Sequence, residues 1–351
     1  MALRPEDIDG IESAPVRVAA ALERSVITFT RKWAMRRTPD EPGFLRRIAR
    51  LVGVGLAKLT ASIRRALSRA LRVGETAATR DLDAVQAYLA RLAPKTPRNP
   101  AKGVTVRTPA ALAAEMQDLA PGIIGSATGL YRDIIRRTLA NPPESEAARL
   151  RIAQDSLDDF TKRGVTGFTD KAGRRWNLVS YIEMATRTAA NEAATDAYLA
   201  KVADAGHDIV RMSVVPNCSD LCQPFQGRLL SVTGATVGSY AGHPVVCSVA
   251  EALARGYRHP GCRHVLTAWF PGNPLPDPPP PDPQAYKDSQ TLRRLERQVR
   301  AAKRAEVAAA TPEAKAEARR AVRAAQAEVR AHVAGTGQVR KREREQIDRV
   351  L

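Results

Sequence analysis

Asn217-Cys218-Ser219-Asp220-Leu221-Cys222 and His259-Pro260-Gly261-Cys262-Arg263-His264 are the two stretches on which the architecture of this 351-residue chain turns. Three of the four cysteines and two of the five histidines fall in them. Tetrahedral zinc takes four such soft donors, two from each of two tight loops. Cys218, Cys222, Cys262 and His264 are therefore the expected ligands of a closed structural site, with His259 as the alternative fourth ligand. The surrounding stretch, rich in Gly and Pro and poor in aromatics, buries little by itself, and modules of that kind lean on a metal to fold. Two other readings stand beside this one. Free cysteines also serve as small buried hydrophobes, the role expected of Cys247, with His243 as a loop residue. Alternatively Cys222 or Cys262 acts as a nucleophile with His259 or His264 as its base. That version, or a catalytic zinc served by Asp220 or Glu251, would make the chain a hydrolase. No phosphate-binding glycine loop or HisGluxxHis pattern accompanies it.

Around the two stretches the pattern changes period. Residues 208–270 are rich in Val, Gly and Pro, with Ile209–Val215 as the best strand, so a small α+β subdomain is expected here. Everything upstream reads helical. From Gly43 to Val73 apolar residues recur every three or four positions, among them Leu45, Ile48, Val52, Leu56, Leu59, Ile63 and Leu67, with arginines between them. A cationic amphipathic helix ending near Gly74 is predicted, with a break at Gly53 and Gly55 allowed for. A second helix follows over 79–92, and Pro-rich residues 93–100 form a linker. Further helices are predicted from Pro109 to Leu119, Gly122 to Leu139 (closed by Asn141, Pro142 and Pro143), Glu144 to Arg163, and Tyr181 to Val202 capped by Ser180. A hairpin is predicted over 165–178.

Downstream, residues 273–283 hold seven prolines, which makes an extended spacer. Heptad-like spacing in 292–306 and 318–332, split by Thr311 and Pro312, predicts an αα-hairpin ending at Gly335, then a last basic helix from Val339. The fold class expected is mainly α, with a zinc-stapled α+β subdomain, a basic helical N-terminal region and an αα-hairpin tail. Its expected segments are 1–100, 101–205, 206–272, 273–284 and 285–351.

The net charge of +18 is unevenly placed. Residues 1–100 hold 19 Lys/Arg against 10 Asp/Glu and residues 285–351 hold 17 against 9, whereas the middle is nearly neutral. Two basic ends suit arms that meet a polyanion or an acidic protein surface. Their candidate contact residues are Arg46, Arg47, Arg50, Arg64 and Arg65 near the N-terminus. In the tail they are Arg293, Arg294, Arg297, Arg300, Arg340, Lys341 and Arg342. The apolar run Leu51–Ala57 is far short of the roughly 20 residues that cross a bilayer, so a soluble chain without stable membrane insertion is expected. Met1–Gly10 has three acidic residues and no apolar stretch, so no leader is expected. In a reducing cytoplasm the cysteines are then thiols or metal ligands.

Several of these strings resemble one family, the minor capsid protein 2 group of tailed bacteriophages, related to the MuF-like head morphogenesis proteins. Residues 164–189 are similar to its Gly-Arg-x-Trp and Tyr-x-x-Met-x-x-Arg-Thr signature, through Gly173 to Trp176 and Tyr181, Met184, Arg187 and Thr188. Residues 217–231 resemble its Cys-x-x-x-Cys-x-x-aromatic-Gln-Gly element, with Phe225 in the aromatic place. His259–His264 resembles its His-Pro-x-Cys-Arg-His element, and 286–345 its closing helices. The ordered likeness spans 164–351 and covers the first 100 residues poorly. It implies a non-enzymatic structural protein of the phage head, assembled in the bacterial cytoplasm and placed inside the capsid near the portal. The implied partners are portal or major capsid subunits and packaged double-stranded DNA, with several copies per head.

Overall fold

The computed structural model describes residues 3–36, 40–91, 118–140, 143–163, 166–169, 173, 175–236, 238–275 and 277–347. Its elements follow in chain order: α1 (Pro5–Ile8), α2 (Ser13–Ala34), α3 (Glu41–Arg91), α4 (Leu119–Ala140), α5 (Glu146–Arg163), β1 (Thr166–Thr169), β2 (Arg175–Asn177) and α6 (Leu178–Asp204). Then come β3 (Ile209–Met212), β4 (Leu229–Ser231), β5 (Gly238–Tyr240), β6 (His243–Ser248), α7 (Val249–Ala254), β7 (Leu266–Ala268), α8 (Pro283–Ala308) and α9 (Pro312–Thr336). The mainly helical class with one small mixed sheet is as expected. No described helix is long and apolar enough to cross a membrane. The chain divides into two compact units built from interleaved segments. One takes Met1–Ser13, Ile63–Leu112 and Met184–Tyr286, the other Ala14–Ser62, Ala113–Glu183 and Lys287–Leu351.

Helix α3 departs most from expectation. It runs 51 residues without a break and absorbs the predicted second helix. Gly55 and Gly74 are contact points rather than stops. A Cβ on Gly55 would overlap the Leu22 side chain, and one on Gly74 would overlap the Ala194 carbonyl on α6. Glycine thus permits two close helix crossings, and the neighbour gained outweighs the low helix propensity of the residue. The linker over 93–100, the helix expected from Pro109 and the closure at Asn141 and Pro142 lie outside the described residues.

In the unit that holds α2, α4, α5, α8 and α9, Val26, Ile27, Phe44, Ile48, Val52, Leu119, Ile123 and Leu157 are buried. The Phe44 ring stacks on Tyr131 with centroids 4.4 Å apart. Strands β1 and β2 pair antiparallel as the predicted hairpin. Helix α6 starts three residues earlier than predicted because Asn177, rather than Ser180, caps it: Asn177 Oδ1 accepts from the amides of Val179 (3.1 Å) and Ser180 (3.3 Å).

The tail hairpin forms around Leu292, Leu295, Val299 and Val329. Thr311 caps α9 as predicted, accepting from Ala314 N at 3.1 Å. The helix passes Gly335 and ends at Gly337, whose φ of 67° supplies the left-handed cap. The last basic helix is not formed over the described residues, where only a 3-10 turn spans Arg342–Glu345.

In the other unit a five-stranded sheet of order β5-β6-β4-β3-β7 carries a core of Ile209, Leu229, Val245 and Trp269. Tyr198 of α6 ties the helices to it, donating to Asp81 Oδ2 of α3 (2.7 Å) and accepting from the Ala268 amide of β7 (3.1 Å).

Candidate metal centre and basic helix faces

Strand β3 lies between β4 and β7 and is antiparallel to both, pairing Arg211 with Leu229 and Met212 with Leu266. The loop leaving β3 toward β4 and the turn entering β7 therefore meet at one end of the sheet. This register is what brings two Cys/His stretches 40 residues apart in sequence together in space.

The turn has a local cause. Cys262 N donates to His259 O at 2.9 Å, and Gly261 has a φ of 83°. Proline followed by a left-handed glycine is the signature of a type II turn, so His259-Pro260-Gly261-Cys262 places an imidazole and a thiol at the two ends of one tight bend.

Cys222, His259 and Cys262 converge, with their donor atoms within 4.8 Å of one another. Cys222 Sγ and Cys262 Sγ are 3.7 Å apart, far beyond the ~2.05 Å of a disulfide. Two sulfurs about 2.3 Å from one tetrahedral ion stand about 3.8 Å apart, and a sulfur and an imidazole nitrogen about 3.6 Å. His264 Nδ1 lies 3.6 Å from Cys262 Sγ. Its tautomer follows from Gln226, whose Oε1 accepts from the Val215 amide at 3.0 Å and faces His264 Nε2 at 3.1 Å. Nε2–H thus donates to that oxygen, leaving Nδ1 toward the sulfurs, the outer-shell pattern of a metal-binding histidine. In the same way His259 Nδ1–H donates to Pro260 O (3.2 Å), and Nε2 faces Ser219 Oγ at 2.8 Å.

The structure thus groups Cys222 and Cys262 with His259, which the sequence offers only as the alternative. His264 stands beside Cys262. Cys218 sits on the far nitrogen of His264, 3.6 Å from Nε2, so it is not a member of the three-residue group.

The hydrogen bond from the Cys222 thiol, and then contact with His264, hold Cys262 well below the usual thiol range despite burial. Cys222 is pushed up as the donor of that pair and by burial. Burial, then Cys262 and Asp220, push Cys218 up to about 11. Two buried thiols this close to each other and to an imidazole nitrogen give up protons when a divalent cation binds, so this donor set fits a soft metal. The carboxylates a catalytic zinc would use are placed differently. Asp220 is exposed, and Glu251 is engaged in the capping box of α7, accepting from Ser248 N at 2.7 Å. Cys247 is buried and His243 exposed on the outer β5-β6 pair.

The basic residues separate into two sets. On α3, Arg46, Arg47, Arg50, Arg64 and Arg65 are all exposed, as are Arg69 and Arg72, while Ile48, Val52, Leu59, Ile63 and Leu67 on the opposite side are buried. In the tail, Arg294, Arg297 and Arg342 are exposed, and Arg293, Arg340 and Lys341 half-buried. Arg293 pairs with Glu296 (2.9 Å) and Arg340 with Glu345 (2.5 Å). Arg300, expected among the surface contacts, is an interior residue at 4% exposure. It donates to the Arg344 carbonyl and, at 3.2 Å, to Ser180 Oγ. It lies on the i,i+4 line of Glu296 and Arg304, both also buried, so α8 packs through a charged ladder as well as its leucine stripe. Sequence periodicity treats every arginine as a surface residue and misses that ladder.

Such a build is that of a cationic, helix-dominated protein with, among the described residues, one thiol–imidazole cluster at the end of a small sheet. A family model described as phage minor capsid protein 2 matches residues 17–334, and the chain belongs to that family. It is a structural protein of the phage head, and its place is the virion. The match extends the likeness through the N-terminal helices, which the motifs alone covered poorly. No curated protein and no solved structure matches the chain.

Proposed function

We propose that the chain sits inside the head on portal or major capsid subunits, in several copies, after assembly in the bacterial cytoplasm, and contacts packaged double-stranded DNA without sequence preference. The observation that carries this reading is the two-faced α3, with arginines exposed on one side and an aliphatic stripe at or near zero exposure on the other. Exposed guanidinium rows neutralise phosphates and release counterions, whatever the base sequence. The exposed Arg294, Arg297 and Arg342 extend the basic surface in the tail. We propose further that a structural zinc closes the sheet end through Cys222, Cys262 and His259, with His264 Nδ1 as the nearest remaining donor. Bound there, the ion would displace thiol protons and tie the two loops together; it would perform no turnover. Gradient-purified, DNA-filled heads should contain the protein, and photo-crosslinkers on α3 should label DNA there. A protein absent from filled heads, or one labelling only other proteins from α3, would overturn the DNA-contact reading.

A further inference from the structure

Helix α6 carries a polar face whose role the metal reading does not assign. Its Thr188 Oγ1 accepts the Gly261 amide at 3.1 Å. In a type II turn this central amide faces outward and finds no partner within the turn, so it must be met from outside. Eight residues along the same helix, about 12 Å at 1.5 Å per residue, Asp196 Oδ1 pairs with Arg258 Nη2 at 2.6 Å, with the two side chains 7% and 11% exposed. Arg258 is the residue just before the turn and has a φ of 64°, a left-handed conformation that a side chain disfavours and that persists only when surroundings enforce it. Thr188 therefore pins the middle of the turn and Asp196 pins its entrance. Between and just beyond these two anchors lie His259 and Cys262, two members of the converging group.

We propose that Thr188 and Asp196 are positioning residues for the metal centre, holding the Arg258–Cys262 segment so that the His259 and Cys262 donors meet Cys222 without rearrangement. This inference rests on the zinc reading above. It gives the Arg-Thr pair of α6 a physical role, in which Arg187 braces the helix through Glu12 at 2.7 Å and Thr188 presents its hydroxyl to the ligand turn.

The test uses the full chain, purified in reducing buffer and loaded with one equivalent of zinc. Metal affinity and release rate are read by competition with a chromophoric chelator, and urea midpoints are taken with and without excess chelator. Thr188→Val keeps the shape and removes the acceptor, while Thr188→Ser restores it. The Val variant should bind zinc 10- to 100-fold more weakly and release it faster, as losing an outer-shell partner does. The Ser variant should match wild type, and the Val variant should lose more stability relative to wild type with zinc bound than in excess chelator, where only the stranded Gly261 amide lowers its urea midpoint. Asp196→Asn should weaken zinc in the same direction if it folds; the Thr188 pair decides the matter if it does not. Wild-type protein that takes up no zinc would overturn the metal reading itself. Wild type that binds while Thr188→Val binds equally tightly, or Val and Ser variants equally impaired, would overturn the positioning role alone.

Discussion

Four exposed arginines, Arg64, Arg65, Arg69 and Arg72, sit within nine residues of α3. At about 100° and 1.5 Å per residue they occupy an arc of about 140° over about 12 Å of helix, close enough together to engage one stretch of duplex backbone. If each neutralises one phosphate, they contribute a slope of about −3.6 in a plot of log affinity against log salt, since each contact adds about −0.9. Across the fourfold change from 50 to 200 mM salt, that slope alone weakens binding about 150-fold. Replacing all four by Gln should therefore make the slope shallower by about 3.6 and leave weaker binding whose remaining salt dependence comes from the other exposed arginines, among them Arg46, Arg47 and Arg50. Fluorescence anisotropy with two duplexes of unrelated sequence, titrated at four salt concentrations, reads both the slope and the lack of base preference. A charge-matched control replaces Arg319, Arg320, Arg323 and Arg330, which are exposed on α9. The reasoning is refuted if the α3 variant keeps the wild-type slope, or if the control loses as much, because net charge rather than this face would then set the binding.

Gly74→Ala should destabilise the chain by about 1–3 kcal/mol, because the new Cβ meets the Ala194 backbone, which cannot move aside as a side chain tip can. Gly53→Ala in the same helix, with nothing within 4 Å of the added carbon, should instead stabilise it by about 0.5–1 kcal/mol; urea midpoints at unchanged m separate the two signs. Glu345→Ala, which frees Arg340 from its bidentate partner at 2.5 and 2.7 Å, should cost about 1.5–3 kcal/mol. A loss under about 0.5 kcal/mol in the same assay would show that the pair is exchanged for water at no cost. Asp208 is raised by burial but lowered overall, because Ser231, Thr233 and Thr236 all donate to it. Its folded pKa is thus below its unfolded value near 3.9. The stability it contributes is fully present above that value and is lost as the pH falls through the depressed folded pKa. Tm measured from pH 5 to 2 should fall more steeply in wild type than in Asp208→Asn.

Much of the helical framework is legible from periodicity and caps. Glu146–Arg163 and the Thr311-capped α9 need only local rules, and the hairpin before α6 is marked by its turn residues. The long α3 is less so, since Gly53, Gly55 and Gly74 look like punctuation until Leu22 and Ala194 come to lie against the last two. Arg300 shows the same limit from the polar side: one residue in a basic helix is buried because Ser180 and the Arg344 carbonyl, more than 40 positions away in either direction, accept its protons. At the candidate metal centre the donor types are readable from Cys222, Cys262 and the two histidines. Which imidazole converges on the sulfurs depends on the turn conformation at Gly261 and on Gln226 holding the far side of His264. Those are tertiary facts, and no residue spacing encodes them.

The claim that sulfur and imidazole groups close the sheet end around a metal is tested most directly by zinc K-edge X-ray absorption on the full chain, together with its elemental analysis. The account predicts one zinc per chain, with two sulfurs at about 2.3 Å and nitrogen donors at about 2.0–2.1 Å. A well-folded, metal-free protein whose four thiols all react with a thiol reagent would contradict it.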